Sequence, residues 1–145
     1  TLGTEQATHF FTATSAPCTS LFKPVWIDAP LPDTGPAPQG VYDHKSLFWR
    51  HERLHRATLR DYANRIKLYQ PELKELEAGF VAGAFEKAGL PAEERGEFVK
   101  KCFADAESAE ATWLERVSSA TVVKKPGKLY SRAWQKINRQ AQMPD

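Results

Sequence analysis

Ala29 to Gly40 holds four prolines and two glycines in twelve residues. Proline has no N–H and a fixed φ, so a stretch this rich in it can neither fill a central strand nor run inside a helix. It reads as an extended surface connector, and the halves on either side must be built from different elements. Before it, His9-Phe10-Phe11-Thr12-Ala13-Thr14 and Leu21-Phe22-Lys23-Pro24-Val25-Trp26-Ile27 are rich in aromatic and β-branched types and predict two short strands, with Ser15 to Ser20 as the turn. Pro24 places the second strand at a sheet edge or on a bulge. Two strands alone are marginal in water, so they call for a helical layer or for further strands.

After the connector the period changes to that of a helix. Ser46 is the expected cap of a helix running to Gln70, with Leu59, Tyr62, Ala63, Ile66 and Tyr69 on one face and Pro71 ending it. A second helix carries Leu73, Leu76, Phe80 and Ala84. Its Gly79 and Gly83, four apart, predict close approach of a neighbouring backbone, and Gly89 closes it. Pro91 suits the first turn of a third helix, with Glu93 and Glu94 near its positive end. Phe98, Cys102, Ala106, Ala109, Trp113 and Val117 hold the helical period for about five turns. Tyr130, Ala133, Trp134 and Ile137 make a short final amphipathic helix after the basic break at residues 124–128. The expected fold class is α+β, mostly helical: two short β-strands followed by three to four helices. Residues 1–28 are the strand pair, 29–44 the connector and 45–145 the helical layer. At 145 residues and 41% hydrophobic content this is one structural unit with a real core.

A net charge of +2 is too balanced for a chain that seeks nucleic acid as a polyelectrolyte, and no nucleic-acid partner is expected. No long unbroken apolar run exists, so no membrane association is expected either. No basic start precedes an apolar segment, so no secretory signal is read. Two cysteines, Cys18 and Cys102, are too few and too far apart for a disulfide framework or a four-ligand zinc site, which points to a reducing, cytoplasmic compartment. The charge nevertheless comes in blocks. Residues 45–70 carry seven basic against two acidic side chains, 71–120 six against eleven, and 121–145 six against one. Blocks of alternating sign predict that a basic helix and a basic tail pack against an acidic middle.

His51-Glu52-Arg53-Leu54-His55 satisfies H-E-x-x-H, the spacing that stacks two imidazoles over a zinc ion with the Glu polarising its water. Arg50, Arg53 and Arg56 crowd it, and cations beside a dication raise the cost of binding it. A third ligand would have to come from Glu72 or Glu75. The competing reading is a charged, partly packed helix face on which Glu52 pairs with arginines one turn away. No metal and no cofactor is therefore assigned. Cys18, in a turn, has His9, His44, His51 and His55 as candidate activators, and the spacing selects none of them. Cys102 lies on an apolar stripe and reads as a small core residue. Thr1 is chemically able to act as an N-terminal nucleophile, but nothing around it marks such a site. Phe48, Trp49, Trp113 and Trp134 sit at helical positions where burial is the default.

Two segments together resemble a known family. Thr12 to Trp26 is similar to the T-x-T-x-x-P-x-x-S-x-F-K-P segment of the secernin-like thiol dipeptidases, and Ser46 to Arg56 resembles their S-L-W-W-R-H-E-x-L-H-R segment, with Phe48 departing from it. Both belong to the C-terminal portion of that family. The resemblance implies an N-terminal-nucleophile hydrolase of four layers, α over two antiparallel sheets over α, that cleaves small peptides. It also implies a cysteine freed at the mature N-terminus as nucleophile, with its own amine as base. No residue of this sequence matches that cysteine. The resemblance thus implies a C-terminal fragment that is inactive by itself, with Thr14, Ser15 and Cys18 as substrate-pocket candidates and no catalytic residue. Its partners would be a small peptide, the N-terminal part of the same protein and, through open strand edges, a second copy. The first residue is Thr1 and not Met, which accords with an expected upstream segment. A zinc-dependent hydrolase through His51, Glu52 and His55, and a non-catalytic helical interaction module, are the alternatives.

Overall fold

The computed structural model describes residues 7–144, so the reading of Thr1 and the start of the strand pair lie outside the described residues. Two strands, β1 (His9–Phe11) and β2 (Lys23–Val25), pair antiparallel with Phe10 opposite Pro24. Each is half the expected length. Ala13 takes φ 59°, which turns the chain out of the ladder, and the Thr12 carbonyl accepts from Lys23 Nζ at 2.9 Å instead of from a strand neighbour. Pro24 is on an edge, as both strands of a two-stranded sheet must be. The turn between them contains one 3-10 turn, Pro17–Thr19.

Among the described residues five helices follow: α1 (Leu47–Leu59), α2 (Tyr62–Arg65), α3 (Gln70–Lys87), α4 (Ala92–Ser119) and α5 (Lys128–Gln140). The α+β, mostly helical reading holds, with one helix more than expected. The single helix expected from Ser46 to Gln70 is broken at Asp61, whose backbone leaves the helical region at φ −161°, ψ 65°. Its carboxylate accepts the Val123 and Lys124 amides at 2.8 and 3.1 Å and the Asn64 side-chain amide. Arg65 covers the exposed end of α1 by donating to the Ala57 carbonyl and to that of Ala120. Pro71 begins a helix instead of ending one, in the first turn where its missing N–H costs nothing. Ser46 stands at the start of α1, but its hydroxyl makes no capping bond.

The long helix α4 is the spine. Its Cys102, Ala106, Trp113 and Val117 meet Leu54 of α1, Leu73 and Phe80 of α3, Tyr69 and Leu21 in the main core. Tyr69 stacks on Trp113 with ring centroids 5.2 Å apart. A smaller cluster of Trp26, Ala29, Ala84 and Val99 seals the strand end. Gly83 admits the Phe98 ring, a side chain and not a backbone, and among the described residues nothing lies within 4 Å of a Cβ placed on Gly79. The connector carries no helix or strand, and it is held at two points: Pro30 packs on Gly96, and the Thr34 carbonyl accepts the Leu47 amide at 2.9 Å. Among the described residues no helix is long and apolar enough to cross a membrane.

Candidate functional site

The turn after β1 and the inner face of α1 meet in a buried polar cluster. The three- and four-residue spacing of α1 puts His51, Glu52, His55 and Arg56 on neighbouring turns, facing residues 15–19. Glu52 is buried, and one of its oxygens accepts from Ser15 Oγ at 2.6 Å and lies 3.1 Å from His55 Nδ1. Its other oxygen accepts from Arg56 Nε at 2.8 Å. Burial by itself would raise this carboxyl, but the hydrogen bonds from His55, Ser15 and Arg56 outweigh it and hold Glu52 at about 2.

His51 is fully buried between Thr19 Oγ1, 3.2 Å from Nε2, and Glu110 Oε1, 3.1 Å from Nδ1. Thr19 Oγ1 is also 3.1 Å from the Ala16 carbonyl. Thr19 Oγ1 thus has two polar neighbours and each ring nitrogen of His51 has one. This hydroxyl–imidazole–carboxylate order is that of a hydrolytic triad, yet Thr19 is sealed from solvent and no substrate can reach its oxygen. The chain of bonds acts as a strut from the turn through α1 to α4.

Lys23, 2% exposed, donates from Nζ to the Thr12 and Leu21 carbonyls at 2.9 and 2.8 Å and sits 5.3 Å from the Phe103 ring centre. Burial pushes the ammonium below its ordinary range, while Glu110 and Glu77 pull it back up. Lys23, Phe103 and Glu110 line a cavity of about 200 Å³ together with Arg50, Arg53 and Glu107.

None of Thr14, Ser15 and Cys18 lines this cavity or the groove between α3 and α4. Ser15 is committed to Glu52, Thr14 Oγ1 is buried without a partner, and Cys18 is exposed. Among the described residues none of the four imidazoles hydrogen-bonds the Cys18 thiol. Cys102 is buried as expected, and burial pushes its thiol up to about 12. The expected burial of Trp49 and Trp113 is found, whereas Phe48 and Trp134 are only half-buried.

The H-E-x-x-H pattern has the helix it needs but not the donors. Both nitrogens of His51 are engaged, and His55 Nδ1 faces Glu52. Glu72, nominated as a third ligand, is held by Arg116 and by Trp113 Nε1. Among the described residues no group of three His, Cys, Asp or Glu side chains is placed to hold a metal ion. A carboxylate held at about 2 is also a poor general base, since proton abstraction works best near the operating pH. Glu52 instead pairs with Arg56, as the charged-face reading expects.

Lys23 and Glu110 were missed by the sequence reading. A lone lysine inside Leu21–Ile27 is a visible signal, since a cation in an apolar strand must find carbonyls. Glu110 lies one turn beyond Ala106 on the edge of the apolar stripe, a weaker one. Comparison with protein-family models, curated proteins and solved structures returns no match for this chain.

Proposed function

We propose that this chain is the C-terminal portion of a cysteine-type dipeptidase of the N-terminal-nucleophile class and that it does not hydrolyse peptides by itself. One observation carries the reading. The two segments on which the resemblance rests, Thr12 to Trp26 and Ser46 to Arg56, are separated by the connector but join through Ser15–Glu52 and Thr19–His51. Polar residues shared by two distant segments thus satisfy one another inside a single scaffold. The hairpin adds support: its strands are three residues long, Phe11 is 56% exposed and Phe22 and Ile27 stand in solvent beside it. Such edges suit the addition of further strands.

In this reading the polar strut holds the turn at residues 12–20 in place. Of the three pocket candidates, Cys18 offers an exposed side chain to the peptide, Ser15 being held by Glu52 and Thr14 Oγ1 being buried, and the nucleophile and its amine base are supplied by the N-terminal part in the cytoplasm. The test compares the 145-residue chain with the longer polypeptide encoded by its gene, scoring amino-acid release from dipeptides and its loss on thiol alkylation. Only the longer protein should be active, and replacing its N-terminal Cys by Ala should abolish turnover. Hydrolysis by the 145-residue chain, or a longer reading frame with no cysteine to expose, would overturn the reading.

A further inference from the structure

The last helix faces two ways. Toward α1, Trp134 meets His55 edge-on and lies under the Arg56 guanidinium at 5.4 Å, Asn138 accepts from Arg56, and the Ala141 carbonyl accepts the Tyr42 amide. Away from α1, Leu129, Ala133 and Ile137 form a row four residues apart, with Leu129 82% and Ile137 42% exposed. Lys128, Arg132 and Lys136 form a second row beside it. With Lys124, Lys125 and Arg139 they make six exposed cations that form no ion pair among the described residues. Residues 121–144 contain no Asp or Glu. The carboxylate that this segment does touch, Asp61, is buried and takes the Val123 and Lys124 amides instead of an ammonium. The expectation that the basic tail packs on the acidic middle of its own chain is therefore not met. Only α1 does so, through Arg50–Glu107 and His51–Glu110.

We propose that the outer face of α5 lies on an anionic phospholipid surface, its cations against the headgroup phosphates and Leu129 and Ile137 at the acyl boundary beneath them. Cations without partners call for an anion, but an RNA backbone would take the charge and leave the Leu129–Ile137 row in water. The row is convex, and among the described residues none of α5 lines a cavity, so the helix offers a protein partner no pocket for an anchoring side chain. A boundary with negative charge above and hydrocarbon below satisfies both rows at once. The helix is already folded against α1, so docking does not carry the ordering cost of a free peptide. Residues 45–70, which include α1 behind it, carry seven basic against two acidic side chains and add to the attraction. The expectation of no membrane association rests on the lack of a spanning run, and a helix lying in the boundary needs none. The inference is independent of the dipeptidase reading.

The 145-residue chain should cosediment with vesicles of phosphatidylcholine containing phosphatidylserine, much less with phosphatidylcholine alone, and less in both cases as salt rises. Arg132→Glu with Lys136→Glu should weaken binding by roughly tenfold or more, from the worth of each cation near an anionic surface. Leu129→Ser with Ile137→Ser leaves every charge in place and should weaken it as well. Lys67→Glu with Lys74→Glu makes the same change of net charge at exposed positions outside α5 and should have far less effect. All six positions are exposed, and retained protection of the Cys102 thiol shows that each variant is folded. No vesicle binding, equal binding to neutral vesicles, or binding indifferent to the α5 substitutions overturns the proposal. So does tighter capture of an RNA oligomer, or a dimer lost with Leu129→Ser in place of vesicle binding.

Discussion

Glu52 carries three hydrogen bonds on one buried carboxylate, and its charge is part of the fold. Its folded value of about 2 lies below the usual 4.5, so the unfolded chain binds the proton more readily. The resulting stabilisation is complete above pH 4.5 and is lost as pH falls toward 2, with an upper limit on the order of 3 kcal/mol. Acid titration of the unfolding free energy should show this slope, and Glu52→Gln should flatten it while lowering stability at neutral pH, because Arg56 and His55 lose their acceptor. An unchanged slope would remove Glu52 from the role assigned to it. The pattern His51-x-x-x-His55 was legible from sequence, but whether it served a metal or a strut depended on Thr19, Glu110 and Ser15, which lie far from it along the chain.

At the scale of elements, local signals and distant ones divide cleanly. The apolar stripe of α4 and the connector were readable because period and proline content act within a few residues. The break at Asp61 was not, since nothing in residues 60–70 announces it. Its cause is a pair of backbone amides about sixty residues later that need an acceptor. Once the chain turns there, Pro71 has no helix to end. The connector hides a similar dependence at Gly35, whose φ of +79° is a region side chains rarely adopt. A Cβ there would lie 1.9 Å from the Lys45 carbonyl oxygen, just before α1. Gly35→Ala should therefore cost at least about 2 kcal/mol, read as a lower Tm, by combined strain and clash. Gly40→Ala, with open space around it, should be close to neutral.

Across the whole molecule, α4 joins the two clusters of the core, and Cys102 sits inside the larger one. That makes its thiol a reporter of global opening, whereas Cys18 is exposed in the folded state. A thiol reagent should label Cys18 first. Labelling of Cys102 should become measurable only as denaturant approaches the unfolding midpoint, with the dependence expected of two-state opening. Comparable rates in the absence of denaturant would show that the core is loose around α4. The sequence alone determined that strands precede helices, that the proline-rich stretch separates them, which faces are apolar and where charge accumulates. Those are properties of neighbouring residues, and a period or a run of prolines states them completely. Tertiary structure decided where the first long helix breaks, which carboxylate answers which imidazole, that Lys23 is buried on two carbonyls and that the basic tail lies on α1 with its outer row open. Each of these is a pairing between residues far apart along the chain. An acceptor's partner is chosen by burial and distance in three dimensions, which no local pattern encodes.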